Sequence, residues 1–202
     1  MDRLNALARR VPTWVVYLLG LVPLGFLVWG AFFGGLGADP VKAIERGLGE
    51  RGLQFLLASL AITPLRRVGL NLICFRRALG LLSFIYVTLH LVAWIWLDMG
   101  LRWNEMLADL TKRPFVILGM IGFVAMLPLA ATSWNGAIRR MGPVAWNRLH
   151  RLAYVAILAG VVHLALLSKV WTTEVLIYFC LGIGLLALRL VPRTGMRRRA
   201  SV

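Results

Sequence analysis

Apolar residues along this chain gather into six runs, separated by short polar, basic or glycine-rich stretches. The runs cover about Trp14–Phe33, Leu53–Pro64, Ala78–Leu97, Phe115–Ala131, Arg151–Ser168 and Glu174–Val191. A helix needs about 20 predominantly apolar residues to cross the hydrocarbon core of a bilayer. Five runs reach or approach that length. The second is short, and Gly47, Gly49 and Gly52 blur its start; a helix beginning at Pro40 would extend it upstream. The first run is too long for the apolar part of a signal peptide, and the GGLGADP that follows is a poor cleavage site. The pattern predicts an all-α integral membrane protein, a six-helix bundle forming one domain over residues 1–202. Basic tails lie at about 1–12 and 192–202.

Composition agrees. Hydrophobic residues make up 60% of the 202 positions, and the mean hydropathy is +0.79, which is too apolar for a soluble core of this size. A net charge of +15 raises the question of nucleic acid, but its distribution points to a membrane. With the N-terminus in the cytoplasm and the six runs alternating, 16 of the 23 basic residues fall on the cytoplasmic side. Seven of the eight acids fall outside. That is a strong positive-inside bias with both termini cytoplasmic, and a basic face suits anionic lipid. All eight tryptophans lie near run ends or in short loops, as an aromatic belt requires. Cys74 and Cys180 are too few for a disulfide framework, and no CxxCH occurs to attach haem covalently. The one match to GxGxxG, GLGERG at Gly47–Gly52, follows no strand pattern, and no P-loop is present, so any nucleotide-binding reductase domain is expected on a separate protein.

The chemistry rests on three histidines. His90 lies in the third run, His163 in the fifth, and His150 at the entrance to the fifth. Ionisable side chains at membrane depth are costly and generally face the protein interior. At 1.5 Å rise per residue, His90 lies about 10 Å and His163 about 8 Å below the outer ends of their runs. Two imidazoles at one level on different helices can clamp a haem from both faces. A buried histidine bonded to Ser, Thr or a carbonyl needs no cofactor, and that reading stands beside the first. His150 stands 13 residues before His163, about 20 Å nearer the cytoplasm. Arg77 stands 13 residues before His90, with Arg76 one residue further. Thirteen residues leave two side chains about 140° apart on an ideal helix, so His150 and His163 share a face only if the helix is tilted, distorted or starts late. Arg76 and Arg77 fit either a topology signal or partners for haem propionates or a flavin phosphate.

Three segments carry a resemblance: TPLRR, RRALGLLSFIYVTLHLVAW and WNRLHRLAYVAILAGVVHL. They resemble the MsrQ family, formerly YedZ, the haem-binding membrane subunits of bacterial periplasmic protein-methionine-sulfoxide reductases. More distantly they resemble the ferric-reductase-like transmembrane domain of NADPH oxidases. The resemblance covers essentially the whole chain. It implies b-type haem, one or two per chain, with His90 and His163 as outer ligands and His150 as an inner one. It also implies FMN, at no assigned residues. Electrons would come from the quinone pool or a cytoplasmic flavin reductase and leave to a periplasmic molybdopterin subunit that reduces methionine sulfoxide in oxidised proteins. The bacterial inner membrane is the implied location. NADPH-oxidase domains carry two histidines on each of two helices; this chain has three, with arginine near the fourth position.

Two other functions fit parts of the pattern. A free-standing ferric or other metal reductase would use the same haem core but needs a flavin domain that these loops have no room for. A histidine-relay transporter would need acidic partners within the membrane, yet the six runs hold no Asp and only Glu174, at an end. The outer loops contain no metal-ligand cluster and no nucleophile–base pair, so no substrate-level catalytic site is expected on this chain.

Overall fold

A helix that is apolar on every side has no face to offer water, and it persists only within protein or lipid. The computed structural model, which describes residues 2–168 and 170–190, is built largely of such helices. In chain order they are α1 (Asp2–Arg10), α2 (Thr13–Phe33), α3 (Pro40–Arg67), α4 (Arg76–Ala93), α5 (Trp103–Lys112), α6 (Pro114–Ala131), α7 (Asn135–Met141), α8 (Pro143–Leu149), α9 (Leu152–Leu167) and α10 (Thr173–Leu190). A 3-10 turn, Ile73–Phe75, leads into α4, and a π-helical turn, Trp94–Asp98, prolongs it. Among the described residues there is no strand. Lys169, the end of the sixth run at Val191 and the basic tail at about 192–202 lie outside them.

Five segments are long and apolar enough to cross a membrane: Thr13–Phe33, Ile73–Asp98, Pro114–Ala131, Pro143–Leu167 and Thr173–Leu190. They match five of the six runs. The run Leu53–Pro64 is the second half of α3, whose 28 residues begin at Pro40, the upstream extension anticipated from sequence. At 1.5 Å per residue α3 is about 42 Å long, but Lys42, Glu45, Arg46, Glu50 and Arg51 make its first half too charged to count as a span by composition. Its second half is nonetheless central: Leu53, Leu56, Leu57, Leu60 and Ile62 are buried. Asp39 starts this helix by accepting a bond from the Lys42 amide at 3.0 Å, with Pro40 in the first turn, where its missing N–H costs nothing.

The core consists of α3 against α4 and α6 against α9. Ser83 of α4, fully buried, donates to the Gly52 carbonyl of α3 at 2.7 Å, and Ser59 of α3 donates to the Arg76 carbonyl at 3.2 Å, so the two helices run antiparallel. In the second pair Phe115 meets His163 at one end and Thr132 meets His150 at the other, again antiparallel. Leu53, Leu57, Ala125, Met126, Ala156, Ile157 and Val161 join the pairs into one apolar cluster. The flanking helices α2 and α10 turn their large apolar side chains outward; Phe26 is 73% and Phe32 81% exposed. An apolar surface this extensive has lipid as its solvent.

Helix α2 is locked to the core by an insertion. Pro23 lies inside the helix and has no N–H to give to its ladder. There the Tyr86 hydroxyl, on a fully buried side chain, donates to the Gly20 carbonyl at 2.8 Å and accepts from the Leu24 amide at 3.0 Å. These two groups are the carbonyl and the amide of one i to i+4 step of the helix.

Charge is segregated to the two ends. Arg66, Arg67, Arg76, Arg77, Arg148, Arg151 and Arg189 flank the same end of the bundle, where Asn5 of α1 donates to the Gly69 carbonyl at 2.9 Å and accepts from the Asn71 amide at 2.8 Å. The opposite end carries Lys42 bonded to Asp98 at 2.7 Å, and Arg113 paired with Asp109 at 3.0 Å.

Candidate functional site

Helix α4 presents His90 and helix α9 presents His163 toward each other near the end opposite the arginines. Their ring centroids are 6.3 Å apart and the ring planes are nearly perpendicular, at 81°. The equal depth read from the sequence is thus a direct confrontation. Each ring is held by one nitrogen. His90 Nδ1 lies 2.8 Å from the Glu45 carbonyl of α3, and His163 Nδ1 lies 2.6 Å from the Phe115 carbonyl of α6. A carbonyl can only accept, so each Nδ1 carries the proton and each Nε2 keeps a free lone pair. Among the described residues, neither Nε2 has a hydrogen-bond partner.

Imidazoles whose second nitrogen is fixed by a carbonyl are oriented as metal ligands commonly are. A metal–nitrogen bond is about 2 Å, and a ring nitrogen lies about 1.1 Å from its ring centre, given standard bond lengths. Two imidazoles on opposite sides of one metal ion therefore have centres about 6 Å apart, close to the observed separation. Haem iron fits this donor pair: two imidazole nitrogens, each with its other nitrogen on a main-chain carbonyl, facing one another between two helices. Among the described residues, no group of three or more His, Cys, Asp or Glu could hold a bare metal ion.

A clamp of charge backs the His90 side. Lys42 Nζ contacts Asp98 Oδ1 at 2.7 Å and Glu45 Oε2 at 3.4 Å. Burial works against the Lys42 charge, but the hydrogen bond to Asp98 and the two carboxylates outweigh it and hold the ammonium above the ordinary lysine value. The π-helical turn Trp94–Asp98 carries Asp98 round to this position.

His150 belongs to a different place. It is the last residue of α8's cap, and α9 starts only at Leu152, so the late start is what governs its direction. Its Nε2 lies 3.0 Å from Thr132 Oγ1, and its ring stacks on Trp146 at 3.7 Å between centroids. It lines a cavity of about 430 Å³ with Thr63, Arg66, Arg67, Arg76, Tyr154 and Arg189 among the walls. Arg189 Nε is buried there without a partner among the described residues. Of the two arginines singled out by sequence, Arg76 faces this cavity, whereas Arg77 donates to Asn135 Oδ1 at 2.8 Å and ties α4 to α7. Sequence reading missed Thr132, Trp146 and Arg189 at the cavity and the two carbonyls at the histidine pair. Only the TPLRR segment hinted at Arg66 and Arg67.

Two histidines on a four-helix membrane core, backed by backbone carbonyls, mark a ferric-reductase-like class of membrane protein. A family model described as the ferric reductase like transmembrane component matches residues 49–161, a region that includes His90 and His150 and stops two residues before His163. Whole-chain relatives narrow the assignment. The protein-methionine-sulfoxide reductase heme-binding subunit MsrQ of Caulobacter vibrioides is 45% identical over 177 residues, which is 87% of this chain and 84% of that one. The subunits of the same name from Brucella anthropi and Rhizobium meliloti are each 42% identical, over 94% and 98% of this chain and 86% and 94% of theirs. The chain belongs to the MsrQ family.

Proposed function

We propose that this chain is the b-type haem membrane subunit of a protein-methionine-sulfoxide reductase system, carrying electrons across the bacterial inner membrane to a periplasmic catalytic subunit that contains molybdopterin. The observation that carries this reading is the opposed pair His90–His163, at 6.3 Å, with both Nε2 atoms free and both Nδ1 atoms tied to carbonyls. The names of the relatives, heme-binding subunits of methionine sulfoxide reductases, support it. Bound between these imidazoles, a haem supplies one-electron chemistry. The protein's part is to hold both ligands oriented, each by a carbonyl on its Nδ1. The chain crosses the membrane six times, α3 included, with both termini and the arginine-rich end in the cytoplasm. That arrangement sets the histidine pair near the periplasmic surface, within reach of a docked soluble partner.

The cavity at the arginine end is the site of electron entry. His150 is its candidate inner ligand, and Arg76 with its neighbours pairs with propionates or a phosphate. Donors are the quinone pool or a cytoplasmic flavin reductase, and FMN enters here from the family alone.

The test is an optical spectrum of purified protein. Wild-type chain should show a reduced b-type spectrum, and His90→Ala and His163→Ala should each lose the same haem, because either change removes half of the protein's bonds to the iron. Full haem content with an unaltered spectrum in either variant would show that the pair does not share an iron.

A further inference from the structure

The two histidines are supported by the same device used twice. Glu45 O accepts from His90, and four residues on, Gly49 lies against the same ring: a Cβ at Gly49 would come within 3.2 Å of His90 Nδ1 and Cε1. Phe115 O accepts from His163, and four residues on, Gly119 lies against that ring, where a Cβ would come within 3.1 Å of Nδ1 and 3.2 Å of Cε1. In each α-helix, the carbonyl at i and the amide at i+4 face one another. The imidazole N–H therefore takes the second lone pair of a carbonyl that already serves the helix, and it reaches that carbonyl over the bare backbone of the glycine. Three residues further, Gly52 faces Val87 and Gly122 faces Ala159, so both helices carry glycines at the same two offsets. The carbonyls and both glycine pairs lie 70 residues apart in the chain.

We infer that Gly49 and Gly119 are positioning residues for the two imidazoles, each setting the length of the Nδ1–H···O bond and through it the electron-donating strength of Nε2. The inference rests on the haem reading above. A hydrogen bond to Nδ1–H makes an imidazole a stronger donor to its metal, and a stronger donor favours the oxidised metal. A methyl group at either glycine would push the ring off its carbonyl by a few tenths of an ångström, weaken that bond and raise the midpoint potential.

Redox titration of the purified holoprotein tests this. Gly49→Ala and Gly119→Ala should keep haem and show a raised midpoint potential, with altered low-spin electron paramagnetic resonance. Two variants serve as controls. Gly122→Ala adds only ordinary contacts, 3.5 Å to Ala159 and 3.6 Å to the Ala156 carbonyl, and should move nothing. Gly52→Ala brings a Cβ to 2.7 Å from Val87, a worse clash in the same helix pair but off the ring, and should lower thermal stability while leaving the potential in place. Unshifted potentials in both Gly49→Ala and Gly119→Ala, or an equal shift in Gly52→Ala, would overturn the assignment. If a glycine variant cannot be purified, double-resonance spectra of wild type decide the point. Slowly exchanging Nδ1 protons on both ligands support it, and deprotonated or freely exchanging ones sink it. A wild-type chain without b-type haem would instead refute the haem reading and leave the glycine geometry untouched.

Discussion

At the scale of the residue, the three histidines differ by what holds their second nitrogen. His90 and His163 turn Nδ1 to main-chain carbonyls and leave Nε2 open, whereas His150 has Nε2 against Thr132 Oγ1 and a face covered by Trp146. The first arrangement leaves a nitrogen open for the iron of the proposed haem. The second must release a hydroxyl before Nε2 can bind iron. His150→Ala should therefore behave unlike the other two: haem bound by His90 and His163 stays, and reduction from the cytoplasmic side slows. Haem content and the rate of reduction by a quinol or a flavin reductase, measured together on one preparation, check this. Loss of all haem from a protein that still melts cooperatively would contradict a separate inner site.

At the scale of the element, the most exacting joint is between α2 and α4. The Tyr86 hydroxyl bonds both the Gly20 carbonyl and the Leu24 amide of α2, and removing it takes away two hydrogen bonds between the helices in an apolar setting. Tyr86→Phe should destabilise the protein by about 1–3 kcal/mol, the usual net contribution of two hydrogen bonds, and loosen α2 from the bundle. Thermal unfolding in detergent gives the loss, and hydrogen exchange at Leu24 locates it. This joint was not legible in the sequence, because a tyrosine in an apolar run gives no sign of which distant carbonyl it will meet. What could be read was whatever depends on position along one helix. Five of the six runs follow from the length lipid demands, the start of α3 from Asp39–Pro40, and the level of His90 and His163 from the rise per residue. What could not be read depends on rotation about a helix relative to its neighbour. Counting along the chain put Arg77 and Arg76 together near the level of His150 and could not tell which would face the cavity; Arg76 does, and Arg77 bonds Asn135. The glycines beside the two rings were visible only as breaks in an apolar run.

At the scale of the whole molecule, the end of the bundle nearest the histidine pair offers a partner short connections and, among the described residues, no group of three or more His, Cys, Asp or Glu. Reduced protein alone should leave methionine sulfoxide untouched, while adding the periplasmic molybdopterin subunit should reoxidise the haem and yield methionine. Stopped-flow absorbance follows the first and product analysis the second. Haem that stays reduced beside an oxidised, competent partner would favour a metal reductase instead. The distribution of the site along the chain has a consequence for assembly. Residues 45, 49 and 90 form one half of the site on α3 and α4; residues 115, 119 and 163 form the other on α6 and α9. The passage between the halves includes Gly100 and Leu101, both with positive φ, at 55° and 61°, a conformation in which leucine is strained. A break placed there removes strain and cuts through neither half. Fragments 1–100 and 101–202, made in one cell, should find each other through the apolar cluster that α3 shares with α6 and α9. Colour should appear only when both are present, so that the pigment itself reports the joining of the two halves.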